Sequence, residues 1–257
     1  MADGTPPAPE PPAHASQKRR NALVLSYRAL QQFLGYLGIA LPLILLLYAV
    51  ISGFGLEPSI SDFYYTPMGD ILVGTLCAIG VFLLFYRGYD PLPGERISDR
   101  QISFVAGLAA FGVAVFPVHR EHVIPCNLAK PACISFGITV HPDWFHYGSA
   151  AIFFFCLALF CLVLFTRGDR DAQGRILWTP RNRFYAFCGA MILLAMAAMA
   201  PVALVGPALH TRLTEAHYLF WWESLAVFAF GASWLHKGRA TDSLARLFRH
   251  RGRRPPG

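Results

Sequence analysis

Residues 67–86, PMGDILVGTLCAIGVFLLFY, form an apolar run in which Asp70 is the one charge. At a rise of ~1.5 Å per residue, such a helix is about 30 Å long, the thickness of a bilayer's hydrocarbon core. Lipid offers the backbone no hydrogen-bond partner, so a run of this kind folds as a helix that satisfies its own amides. The flanks differ in sign. Before it stands SISDFYYT, polar and acidic, with Thr66 as the predicted N-cap and Pro67 as the first helical residue. After it stands Arg87, beside an aromatic belt.

Five further runs follow the same rule. Apolar stretches at about 33–54, 102–118, 144–166, 184–206 and 217–235 predict, with 67–86, an all-α polytopic membrane bundle of six transmembrane helices. Pro42 falls inside the first run and Pro201 near the end of the fifth. Asp143 is the predicted N-cap of the fourth. With 55% hydrophobic and 14% charged residues, the composition excludes an ordinary soluble domain. The chain divides into a Pro-rich, basic tail over 1–30, expected to be disordered, a membrane domain over 31–236, and a basic tail over 237–257.

The arginines and lysines fix an orientation. Nineteen of the 22 fall in the N-terminal tail, the 87–101 and 167–183 segments and the C-terminal tail; three fall in the alternate segments. This is the positive-inside pattern, and it predicts cytoplasmic N- and C-termini in the plasma (inner) membrane. The net charge of +7 therefore reads as an orientation signal and not as a nucleic-acid footprint. The expected partner is the lipid bilayer, with the C-terminal tail as the segment suited to anionic lipid. No short apolar core with a small-residue cleavage site marks a cleaved signal peptide.

Sorting the other ionisable groups by this orientation concentrates them on the opposite side. His119, His122, His141, His146, His210 and His217 lie there, with Glu57, Asp62, Asp70, Glu121, Asp143, Glu215 and Glu223. Asp70, one turn into the second run, and Glu223, about 9 Å beyond His217 at ~1.5 Å per residue, are the candidates to line a polar pocket. If the last helix starts at Pro207, then His210, Thr214, His217, Trp221 and Ser224 form one stripe, with Glu223 pointing away from it. Cys126 and Cys133, seven residues apart in one segment, are either a disulfide in an oxidising space or two free thiols. Cys77, Cys156, Cys161 and Cys188 lie inside apolar runs and read as small buried hydrophobes.

Motifs of soluble enzymes are missing from the chain: it has no P-loop, G-x-G-x-x-G, G-x-S-x-G or H-E-x-x-H. SISDFYYTPMGDILVG, GVFLLFYRGYD and GLAAFGVAVFP, within 57–118, together with 144–166, resemble a family of bacterial integral membrane proteins of about six helices. That family carries no assigned activity. A second similarity is to the alkaline-ceramidase-like membrane hydrolases, which pair a serine and an aspartate with three zinc-binding histidines. That resemblance implies Ser61 and Asp70 as catalytic residues and His146, His210 and His217 as ligands of Zn2+. The chain departs from it in lacking an H-x-x-x-H pair in its last helix and in having fewer spans.

Two functions follow from these readings. One is a transport-like or scaffold protein with a His/Asp/Glu-lined pocket on the extracytoplasmic side. The other is a zinc-dependent hydrolase of a lipid or lipid-linked substrate at the outer leaflet. In it, zinc lowers the pKa of bound water toward ~7, Asp70 or Glu223 takes the proton, and Ser61 or Tyr64 steadies the oxyanion.

Overall fold

The computed structural model describes residues 13–88, 97–118, 143–171 and 173–238. It contains seven α-helices among the described residues: α1 (Ala13–Ser52), α2 (Gly69–Phe85), α3 (Asp99–Val115), α4 (Trp144–Leu159), α5 (Pro180–Met199), α6 (Pro207–Glu215) and α7 (Tyr218–Lys237). Apart from one isolated bridge between Arg170 and Ile176, the described residues form no β-structure. Three helical stretches are long and apolar enough to cross a membrane: Val24–Ser52, Trp144–Gly168 and Pro180–Leu204. Gly69–Phe85 is a shorter apolar helix.

The packing closes into a ring. α1 lies against α7, α7 against α5, α5 against α4, α4 against α3 and α3 against α2, and α2 touches α1 again. Glycines set two of these seams. A Cβ on Gly231 would stand 2.8 Å from the Gly35 carbonyl oxygen, and one on Gly107 would stand 2.9 Å from that of Gly80. Backbones this close admit only hydrogen, which is how small residues join helices where no hydrophobic effect drives association. Aromatic packing fills one half of the interior. Trp234, fully buried, has Phe82, Tyr86, Phe160 and Phe165 edge-on at 5.1–5.7 Å. The other half is built on Leu41, Leu45, Phe63, Leu72 and Phe220. Large apolar side chains also point outward along the helices, Val50 at 74% and Phe85 at 80% exposure among them, the arrangement expected where the solvent is lipid.

Several boundaries differ from the sequence reading. α1 begins at Ala13, so residues 13–30 are helical where a disordered tail was expected. That stretch has neither proline nor glycine, and a helix anchored by a packed span extends at the cost of propagation alone. The second run starts at Gly69 instead of Pro67. Thr66 spends its hydroxyl as acceptor of the Met68 N–H, closing a turn ahead of the helix. α3 starts at Asp99, three residues before the expected 102, because Ser98 and Gln101 form a capping box. Asp143 occupies the N-cap position of α4 but its side chain makes no capping bond. α4 then continues through a π turn, Phe160–Leu164, where the Phe165 N–H reaches the Phe160 carbonyl at 2.8 Å.

The last run is broken, not continuous. α6 and α7 are separate helices, and His217 between them has φ 51°, the left-handed region. The proposed stripe from His210 to Ser224 therefore does not exist as one face.

The glycine seams generate a paired test. Gly231→Ala is expected to destabilise the bundle by about 1–3 kcal/mol, because backbone is what its methyl would meet. Gly74→Ala, with nothing within 4 Å, is expected to gain about 0.5–1 kcal/mol from helix propensity. Unfolding in detergent measures both.

Candidate functional site

The end of the bundle that carries residues 53–66 collects the polar side chains. This connection descends from α1, makes a 3-10 turn at Ser61–Tyr65 and enters α2. Ser59 and Asp62 set the turn. The Ser59 hydroxyl accepts the Asp62 N–H at 3.1 Å and donates to the Asp62 carboxylate at 2.9 Å. Phe63 is the one buried residue of the turn and packs on Phe220 at 6.0 Å between ring centroids.

Two helices, α7 and α4, and the stretch just past α3 hold this turn. From α7, the Glu223 carboxylate accepts the Ile60 N–H at 2.6 Å, and the Phe220 N–H donates to the Pro58 carbonyl at 2.9 Å. From α4, His146 reaches the Ser61 hydroxyl with Nε2 at 3.1 Å and the Phe116 carbonyl with Nδ1 at 2.6 Å. From the turn itself, the Tyr65 hydroxyl donates to the Val118 carbonyl at 2.5 Å. A carbonyl only accepts, so Nδ1 of His146 carries a proton, and in the neutral ring Nε2 accepts from the Ser61 O–H.

The geometry sorts the sequence candidates. Ser61, His146 and Glu223 come together around one turn. Asp70, a candidate pocket residue expected to face the bundle interior or water, sits exposed in the first turn of α2 and takes no part in this cluster. The start of α2 at Gly69 explains this, since Asp70 is then a first-turn acid beside the positive helix end. His210 is exposed on α6. His217 is half-buried at the α6–α7 break, with Nδ1 enclosed and without a partner. Among the described residues, no three His, Cys, Asp or Glu side chains are placed to hold a metal ion. His146 is 3% exposed with both ring nitrogens engaged, so the set His146, His210 and His217 does not fit zinc. Cys126 and Cys133 lie outside the described residues, as do His119, His122 and His141.

A small cleft opens beside the pair, with Ser61, Tyr64 and His146 as its polar lining. It leaves about 10 Å3 to the centre of a water molecule, room for one water.

Sequence reasoning missed the backbone partners. The carbonyls of Pro58, Phe116 and Val118 leave no mark on a sequence. Ser59 and Asp62 do leave one, because S-x-x-D is the spacing of a capping pattern. Compared with known proteins, the chain matches no family model, no curated protein and no solved structure.

Removing the α7 strut leaves the Ile60 N–H without its acceptor. Glu223→Ala is expected to cost about 1–3 kcal/mol of stability, and Glu223→Gln less, since an amide oxygen still accepts. Asp70→Asn is expected to change little. Thermal unfolding of the three variants in one detergent checks the order.

Proposed function

We propose that the protein is a six-span integral membrane protein of the plasma (inner) membrane, with cytoplasmic termini and a scaffold role centred on its extracytoplasmic end. The apolar helices carry the membrane location. The segregation of bases, nineteen to three, supports six spans and the orientation. In this topology α3 and α7 are the two further spans, and α6 lies at the outer rim. The 53–66 connection then faces the extracytoplasmic side.

One observation favours the scaffold role over a transport-like one. Ser61, His146 and Glu223 are engaged with one another's elements and with backbone, and the cleft beside Ser61 and His146 is small. A transport pocket needs polar groups turned toward a cargo-sized space. The zinc-hydrolase alternative lacks its ligand set among the described residues.

Two measurements test this. With the six native cysteines replaced by serine or alanine, single cysteines at Glu57 and Gln173 report the topology. A membrane-impermeant thiol reagent on intact cells is expected to label the first and spare the second; the reverse pattern refutes the orientation. Zinc analysis of the purified protein at neutral pH addresses the role. Well under one zinc per chain is expected; one per chain, lost in a His146→Ala, His217→Ala double variant, replaces the scaffold by the hydrolase.

A further inference from the structure

Between α4 and α5, residues 169–171 and 173–179 form a loop more firmly built than a link between two helices requires. It folds back on itself, with a bridge between Arg170 and Ile176. The Asp171 carboxylate organises the turn, accepting the Gln173 N–H at 3.0 Å, the Arg175 N–H at 2.8 Å and the Arg175 Nε–H at 3.0 Å. The Asp171 N–H donates to the Arg175 carbonyl and the Leu177 N–H to the Asp169 carbonyl, each at 2.9 Å. Gly174, at φ 78°, supplies the left-handed residue the turn needs. The returning limb is pinned from inside by Asn182, fully buried, whose amide donates to the Leu177 carbonyl at 2.7 Å. The Thr179 hydroxyl donates to the Asp169 carboxylate at 3.0 Å.

This frame presents an apolar surface. Ile176, Leu177 and Trp178 are 39%, 43% and 60% exposed, three large hydrophobic side chains in a row on a fixed backbone. A contiguous apolar patch held outward in this way marks a surface that something covers. Position says what covers it. Pro180, two residues past Trp178, opens the helical stretch Pro180–Leu204, long and apolar enough to cross a membrane. The exposed face of that stretch runs through Arg183, Phe187, Ala190 and Leu194, with its one charge at the end next to the loop. An arginine at the end of a lipid-facing stripe carries its guanidinium to the phosphate layer, and tryptophan settles in the same layer. The patch therefore meets the headgroup region by continuity with the span.

Charge narrows the choice of lipid. Residues 167–183 carry five arginines against two aspartates, and both aspartates are occupied within the loop, Asp171 by Arg175 and Asp169 by Thr179. Arg175 uses its Nε–H on Asp171, and its fork carries four more donors on a side chain that is 77% exposed. Arg183 is exposed as well. We propose that residues 175–183 are a docking surface for anionic phospholipid in the leaflet that receives the α4–α5 connection. Ile176, Leu177 and Trp178 sit at the boundary of headgroups and acyl chains, and Arg175 and Arg183 face the phosphates. Because the loop is already ordered, binding costs little backbone entropy. The surface rests on the membrane reading through α5 as a span, and not on the six-span count or the scaffold role.

The test is quenching of Trp178 by brominated lipid in the full chain. The protein is reconstituted into bilayers of phosphatidylcholine and phosphatidylglycerol, with one or the other brominated on its acyl chains. The Trp178 signal is the difference between wild type and Trp178→Phe, a change at an exposed side chain. Brominated phosphatidylglycerol is expected to quench it at least about twofold more than brominated phosphatidylcholine at equal mole fraction. An Arg175→Gln, Arg183→Gln double variant is expected to lose that preference and keep quenching by both lipids. A Trp178 signal quenched by neither lipid overturns the docking surface and gives the patch to a protein partner or a second copy of the chain. Equal quenching in the wild type overturns the selectivity for anionic lipid. The Trp178→Phe protein reports on the membrane reading separately, because its exposed Trp144 and Trp221 are expected to be quenched. If they are not, the bundle is outside the bilayer and both readings fall.

Discussion

Backbone amides that leave a helix near lipid must find partners inside the protein, and this requirement shapes the end of the bundle where function is sought. The 53–66 connection is the described stretch of non-helical chain that dips among the helix ends there. Its free groups are met one by one: the Ile60 N–H by Glu223, and the Pro58 carbonyl by the Phe220 N–H. The Phe116 and Val118 carbonyls just past α3 are met by His146 and Tyr65. Every one of these bonds joins segments far apart in sequence, so the turn is fixed only when α3, α4 and α7 are all in place. Such bonds are worth most where water cannot substitute for them.

The opposite end is held differently. There the helices converge on Trp234 and its ring of aromatics, and the polar bonds tie side chains to backbone carbonyls at the helix ends. The Ser103 hydroxyl donates to the Tyr86 carbonyl at 2.9 Å, the Asn182 amide donates to the Thr166 and Leu177 carbonyls, and Gln32 donates to the Gly238 carbonyl at 2.8 Å. That end is a packed plug. The 53–66 end is a hydrogen-bonded clamp in which a histidine and a carboxylate hold one turn.

Much of this was legible beforehand. Apart from the early start of α1 and the separate α6, apolar runs located the helices within a few residues, because burial in lipid leaves a strong pattern. Ser61, His146 and Glu223 stood out in the sequence as candidates, His146 as a metal ligand, and the fold brings them to one turn through hydrogen bonds instead. Their grouping was not legible, and Asp70, chosen on the same grounds, sits exposed. What separates them is position: Asp70 lies on the exposed side of the first turn of α2, away from the 58–62 turn that Glu223 reaches. The break at His217 was equally hidden, because a histidine in the left-handed region looks like any other in a sequence. The three-histidine set dissolves because both ring nitrogens of His146 are engaged and His210 is exposed on α6.

Hydrogen exchange of the backbone amides of residues 58–66, in detergent or lipid discs, addresses the clamp most directly. In the wild-type protein the Ile60 amide is expected to exchange as slowly as the amides inside α2. In Glu223→Ala it is expected to exchange at least about tenfold faster while α2 is unchanged. Fast exchange at Ile60 in the wild type, or no difference between the two proteins, would contradict a turn held by α7.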